Sequence, residues 1–434
     1  MSTLTSARPR RGTRHDGAAQ STGTPAGRIA SGPLALVFLS EFCALTSFYL
    51  MLSVTPMYAA AAGAGATGAG LVTGVLLLGT VAAELAAPIL MRRFGYWTML
   101  LTGALLLGVP ALALLPGGSL TVIVAVSVVR GFGFGLCTVM TGALTAALLP
   151  PERRGEGLGL FGIVATAPGV IALPAGVWLA DHFGMATVAG LTAATALVPL
   201  AAFPWLSRGA DRRQATAARP GTGRPDGLLG GLRRAGQLRP FLIFAASTVA
   251  AGVVVSFLPL AAWVSGNVAA AGLLAQALTA TISRWWAGRR GDKSGHARLL
   301  VPALAIASSG MITMIWLASP AAVIAGMCLF GIGFGICQNA TFALMIDRMP
   351  PSGVGTASAL WNLAYDAGYG AGPAAFGLAV GHTGYPAAFA LTAVLMLAAV
   401  PLARREQAMA RGTAGGCHRW ACLLTGLSSG RPGG

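Results

Sequence analysis

Charge is what this sequence lacks most. Only 9% of its 434 residues are Asp, Glu, Lys or Arg, against about 25% in a soluble domain, too few to clothe a water-facing exterior. Lysine is almost absent: Lys293 stands alone and arginine carries nearly all the positive charge, a bias that suggests a GC-rich bacterial genome. Of six cysteines, Cys43, Cys137, Cys328 and Cys337 fall inside apolar runs and read as small buried hydrophobes. Cys417 and Cys422 lie in a polar tail at a spacing that matches no zinc or redox motif, so no disulfide framework is expected. Residues 1–32 contain no apolar stretch, which argues against a cleavable signal peptide and leaves the first apolar run as the insertion signal. No His, Asp and Glu cluster has ligand spacing and no P-loop sequence occurs. The expectation is therefore no metal, no cofactor, no ATP-driven pumping and no enzymatic centre.

What is present is apolar: 55% of the residues are hydrophobic and the mean hydropathy is +0.72. The runs fall at about 33–58, 69–91, 97–116, 119–149, 157–181, 184–206, 240–264, 267–288, 299–318, 320–347, 354–381 and 385–403. In hydrocarbon every backbone polar group must be paired within its segment, so these runs predict twelve transmembrane helices and an all-α membrane protein. Their connections alternate in charge. One set (59–68, 117–118, 182–183, 265–266, 319 and 382–384) holds no Lys or Arg. The other holds Arg92 and Arg93, Arg153 and Arg154, the 207–239 loop, Arg289 to Arg298, Arg348, and Arg404 with Arg405. Positive charge marks the cytoplasmic side, which places both termini there. The net charge of +17 thus sits in tails and loops, and no basic face for nucleic acid is implied.

The chain also repeats at an offset of 200 residues. Gly131, Gly133, Phe134, Gly135 and Cys137 match Gly331, Gly333, Phe334, Gly335 and Cys337. Pro150, Pro151 and Gly155 match Pro350, Pro351 and Gly355, and His182 with Gly184 matches His382 with Gly384. An even number of spans per repeat gives both halves the same topology, as parallel repeats. The expected organisation is a basic cytoplasmic tail at 1–32, a six-helix bundle at 33–206, a flexible linker at 207–239, a second bundle at 240–403 and a disordered tail at 404–434.

In this arrangement the sequence resembles the major facilitator superfamily of secondary transporters over roughly residues 33–403. The most specific element runs from Gly288 through Asp292 and Lys293 to Gly295 and His296, and is similar to the superfamily's loop motif. The first-half copy keeps only Arg93 and Gly95. The resemblance implies that this loop acts as a gate latch. Arg130 followed by Gly131, Gly133 and Gly135 resembles a second motif, seen in proton-coupled members, and Glu41 matches an acid that in drug antiporters works with that arginine.

Polar residues at membrane depth are costly and mark candidate function. Arg130 is eleven residues into its run, ~16 Å deep at 1.5 Å per residue. It reads as a fixed charge beside an acid or an anionic substrate, or as a structural ion pair. Asp366 lies about as deep, with Asn362 one turn away on the same face; it reads as a protonatable carboxyl or as helix glue. Glu41 and Glu84 sit two turns from the cytoplasmic edge, and Glu84 in particular reads as a snorkelling or water-exposed acid. Gln338 and Asn339 either orient substrate or hold helices together, and Arg284 reads as snorkelling. These residues predict a proton-coupled exporter of small apolar drugs or metabolites, acting as a monomer in the bacterial inner membrane. The partners are the lipid bilayer, a small-molecule substrate and protons. A carrier of a polar solute such as a sugar or organic acid is the alternative; a membrane enzyme or a sensor finds less support.

Overall fold

The computed structural model describes residues 32–116, 118–149, 154–206, 232, 236–261, 263–350 and 353–411. The basic tail, nearly all of the 207–239 connection, Pro150, Pro151, Arg153, Pro351, Cys417 and Cys422 lie outside the described residues.

The described residues form helices in the expected order. They are α1 (Gly32–Leu52), α2 (Gly65–Phe94), α3 (Tyr96–Gly108), α4 (Leu120–Leu148), α5 (Arg154–Phe183) and α6 (Met185–Leu206). The second set is α7 (Leu238–Phe257), α8 (Gly266–Ser294), α9 (Leu300–Thr313) and α10 (Pro320–Asp347). The last long helix, Val354–Ala398, breaks at Gly384, where φ is 76°. Its two legs are α11 (354–383) and α12 (385–398). Among the described residues eight apolar stretches are long enough to cross a membrane, and two of them, of 63 and 57 residues, each contain two of these helices, the first with the short helix Val54–Ala59 between α1 and α2. The described residues form an all-α membrane protein, consistent with two sets of six helices.

The offset of 200 survives in three dimensions. Ser119 and Ser319 cap α4 and α10, accepting from the Val122 and Ala322 amides at 3.5 and 3.4 Å. Gly95 and Gly295 turn the chain with φ of 81° and 86°, a conformation open to glycine at little cost. The three glycines of each motif let backbones touch. A Cβ on Gly131 or Gly135 would strike the Leu76 or Thr80 carbonyl of α2, and one on Gly133 would lie 2.8 Å from Gly103 O of α3. In the second half Gly331 and Gly335 meet the Gln276 and Ala280 carbonyls of α8, and Gly333 meets α9. Small residues at such crossings gain van der Waals contact that lipid cannot supply.

The halves join on the face away from the basic loops. There α2 packs on α11: a Cβ on Gly70 would strike Pro373 O, and one on Gly74 would lie 3.3 Å from Ala374 Cβ. Thr67 donates to Gly377 O at 3.2 Å, and Thr73 and Ser256 share a hydrogen bond of 3.1 Å. Gly266, at the start of α8, meets Asp181, near the end of α5.

One expectation is corrected at the C-terminal side. Residues 404–411 are not disordered; the helix resumes at 400 and runs to 411. Its register turns Glu406 inward to 1% exposure. There it pairs with Arg239 at 3.6 Å and with Arg348, whose guanidinium also donates to Gly236 O.

Candidate functional site

A cavity of ≈ 430 Å³ opens between the bundles. Its walls come from the parts of α4, α5, α8, α10 and α11 nearer the basic loops, so it lies on the basic side of the α2–α11 seam. Aromatic rings cover much of it. Trp361, Tyr365 and Tyr369 follow at one-turn spacing on α11, with Tyr365 stacked on Tyr369 at 5.3 Å between centroids. Phe134 stacks on Phe48 at 3.8 Å, and Trp361 on Phe244 at 4.4 Å while its Nε1 donates to Thr341 Oγ1 at 3.2 Å.

Into this lining the structure sets Glu41, Glu84, Gln338, Asn362 and Asp366. Glu41 is 4% exposed and accepts from Thr141 Oγ1 at 2.5 Å. Glu84 of α2 and Asp366 of α11 line the cavity from opposite halves and stand within electrostatic reach of each other. The adjacent residue, Tyr365, stands likewise close to Tyr49 of α1. Two consecutive residues of α11 thus face polar side chains of the opposite half.

Other expected residues stand elsewhere. Arg130 is not paired with Glu41 and does not line the cavity. It is 2% exposed and donates to Leu107 O at 2.6 Å and Ser47 O at 3.1 Å. The cause lies in α3, which tightens into a 3₁₀ turn at Val109–Leu114 with Pro110 in its first turn. That change of pitch frees the Leu107 carbonyl from its helical partner, and the arginine satisfies it. Asn339 also misses the cavity; its side-chain nitrogen would lie 3.4 Å from a Cβ on Gly288, between α10 and α8. Glu84 is not a snorkelling acid, since α2 runs ten residues past it.

Arg284, expected at the membrane edge, lines the cavity instead, as do Gln276 and Tyr49, which sequence reasoning did not single out. A signal for Arg284 existed: it stands 200 residues from Glu84, at the matching place in the repeat. In the loop motif, Asp292 is exposed and its partner is His296 at 3.7 Å, at the start of the 3₁₀ turn His296–Leu299 that follows Gly295. Lys293, Arg93 and Gly95 are exposed.

Two helical bundles joined on one face and parted by a cavity on the other have the form of a membrane carrier of small molecules. The sequence model of the Major Facilitator Superfamily matches residues 37–373 and, in an overlapping second match, 266–415. The chain belongs to that superfamily. The fold is similar to that of a bacterial homologue of the human lysosomal transporter Spinster, solved in an inward-facing and occupied conformation. The TM-score is 0.68 at 14% identity, covering 86% of this chain and 96% of that one. It is also similar to a point mutant of the nucleoside transporter NupG, with a TM-score of 0.65 at 13% identity over 87% and 98% of the two chains.

Proposed function

We propose that the protein is a proton-coupled secondary transporter that exports small, largely apolar organic compounds by alternating access. It would act as a monomer in the inner membrane of a bacterial cell, with both termini cytoplasmic. The observation that carries this reading is the placement of two carboxyl groups, Glu84 on α2 and Asp366 on α11, within electrostatic reach of each other where the two halves meet; neighbouring carboxyl groups in an apolar wall favour binding a proton. Rocking one bundle against the other about a midplane site would separate the carboxyl groups. Each would then keep its proton in an apolar wall or ionise toward water. Proton binding is thereby linked to the conformational equilibrium, because it favours the state in which the pair is joined. Glu41 adds a third acid to the same cavity, and Thr141 fixes its orientation.

The loop motif supports the same cycle. With the basic side open, Asp292 reaches only His296. When that side closes, the tight turn at Gly295 and the small Gly288 would let the loop carrying Asp292 and Lys293 approach the opposite bundle. The copy with Arg93 and Gly95 would be its counterpart. A second reading, carriage of a polar solute, draws on Gln276, Gln338 and Asn362 in the cavity wall.

The test is transport by inverted membrane vesicles, with and without a pH gradient, using fluorescent apolar dyes and, separately, neutral sugars. Gradient-driven dye accumulation that disappears in a Glu84→Gln, Asp366→Asn double variant is expected. Accumulation that ignores the gradient, or that the double variant leaves unchanged, would overturn proton coupling; movement of sugars alone would favour the second reading.

A further inference from the structure

We infer that the cavity selects an organic anion: an apolar, aromatic-sized body carrying one carboxylate or similar acidic group, held by Arg284. The inference rests on the carrier reading above and specifies its cargo. It follows from asking which charges in the cavity already have partners. Glu41 has Thr141 at 2.5 Å. Glu84 and Asp366 have each other. Among the described residues the ion pairs are His182–Asp181, Arg239–Glu406, His296–Asp292 and Arg348–Glu406. Arg284 belongs to none of them, although it is only partly exposed and lines the cavity.

A guanidinium withdrawn from bulk water without a counter-ion is costly, and its planar fork of donors matches a carboxylate in two-point geometry. The Tyr49 hydroxyl stands within electrostatic reach of Arg284 as well as of Glu41 and Asp366. The phenols of Tyr49 and Tyr365 both lie close to the Arg284 guanidinium, so an anion held there would have hydroxyl donors beside it. The remaining space is apolar and aromatic, faced by Trp361, Tyr369, Phe134 and Phe334. A volume of ≈ 430 Å³ falls in the range of ~300–1,000 Å³ typical for drug-sized ligands.

The experiment uses the full chain purified in detergent and matched probes that differ only in charge: 1-naphthaleneacetate, 1-naphthaleneacetamide and 2-(1-naphthyl)ethylamine, each with its phenyl and pyrenyl analogue. Binding is read by calorimetry and by thermal stabilisation. In at least one size class the carboxylate is expected to bind about tenfold or more tighter than its amide and amine, the scale of a charge-assisted hydrogen bond. Arg284→Gln should abolish that preference and Arg284→Lys should retain part of it, with the ligand-free variants melting as the parent does. If Arg284→Gln does not fold, the Lys variant and the charge series decide. Preference for the amine, no preference, no carboxylate binding in any size class, or a preference that survives Arg284→Gln would each overturn the inference. Transport of the same probes in proteoliposomes is a separate arm. Carboxylate binding without transport would sink the carrier reading and leave the anion site standing; transport of amine or amide alone would do the reverse.

Discussion

The two halves of this protein use the same positions for different chemistry. Where helices touch, they agree: Gly131, Gly133 and Gly135 do in the first half what Gly331, Gly333 and Gly335 do in the second. Where helices face the cavity, Phe134 and Phe334 still agree but most other positions part. Glu84 stands opposite Arg284, Thr138 opposite Gln338, Phe161 opposite Trp361, Ala165 opposite Tyr365, Thr166 opposite Asp366 and Gly169 opposite Tyr369. Backbone-to-backbone crossings admit one answer, because a single methyl would collide with a carbonyl. A cavity wall has no such constraint, so function can diverge on a frame that stays symmetric. The C-terminal half carries most of the polar and aromatic wall, and the N-terminal half presents a smoother face on α5.

The comparison can be broken in several ways. The largest expected effect is on the frame. Gly131→Leu and Gly331→Leu should each cost about 3 kcal/mol or more by overpacking. Both variants should lose the monodisperse peak in size-exclusion chromatography, and a variant tolerated in only one half would end the claim of an equivalent frame. Next comes position 130 against 330. Arg130→Phe installs the residue found at the matching site, Phe330, but leaves the buried Leu107 carbonyl without the arginine donor, at about 1–3 kcal/mol. Thermal unfolding should show that loss, and adding Pro110→Ala should recover part of it by giving Leu107 O a helical partner again. The second half has Gly310 in place of that proline, and α9 stays α-helical to Thr313.

At the cavity, Asp366→Asn should lower pH-gradient-driven transport about tenfold, the factor that 1.4 kcal/mol represents. Its counterpart Thr166→Val should change the rate less than about twofold, under the same conversion. Equal effects would mean that the asymmetry of the wall has no bearing on coupling. The smallest difference concerns two hydroxyl clips between helices. Thr80 donates to Gly131 O at 3.1 Å and Ser283 to Gly331 O at 3.5 Å. Thr80→Val should cost about 1 kcal/mol and Ser283→Ala less, since hydrogen bonds weaken with distance. Melting temperatures of the two variants would rank them.

Much of the fold was legible in the sequence. Apolar run lengths and the alternation of basic connections mark the crossings, and the ordered matches at 200 residues mark the repeat. The cavity was only partly legible. Asp366, Asn362 and Gln338 could be picked out because a polar group at that depth must face something other than lipid. Glu84 and Arg284 were misjudged for one shared reason. Depth was counted from the end of the apolar run, yet α2 and α8 continue ten residues beyond each of them, ~15 Å at 1.5 Å per residue. Arg130 was expected to face an acid or a substrate and faces two backbone carbonyls instead. Direction depends on which neighbour has an unpaired carbonyl, and that is settled by the pitch of α3, not by anything local to α4.

Tyr365 and Asp366 are neighbours in the chain, and each faces a different helix of the other bundle, at Tyr49 of α1 and Glu84 of α2. A rotation of one bundle large enough to part either pair moves the shared stretch of α11 and parts both. Intermediate positions, with one pair kept and one parted, would leave a polar group stranded in a dry wall. Opening on the far face is therefore expected as a snap between two end states rather than a graded swing, and a single-molecule distance trace across α1 and α11 should show two levels with nothing dwelling between them.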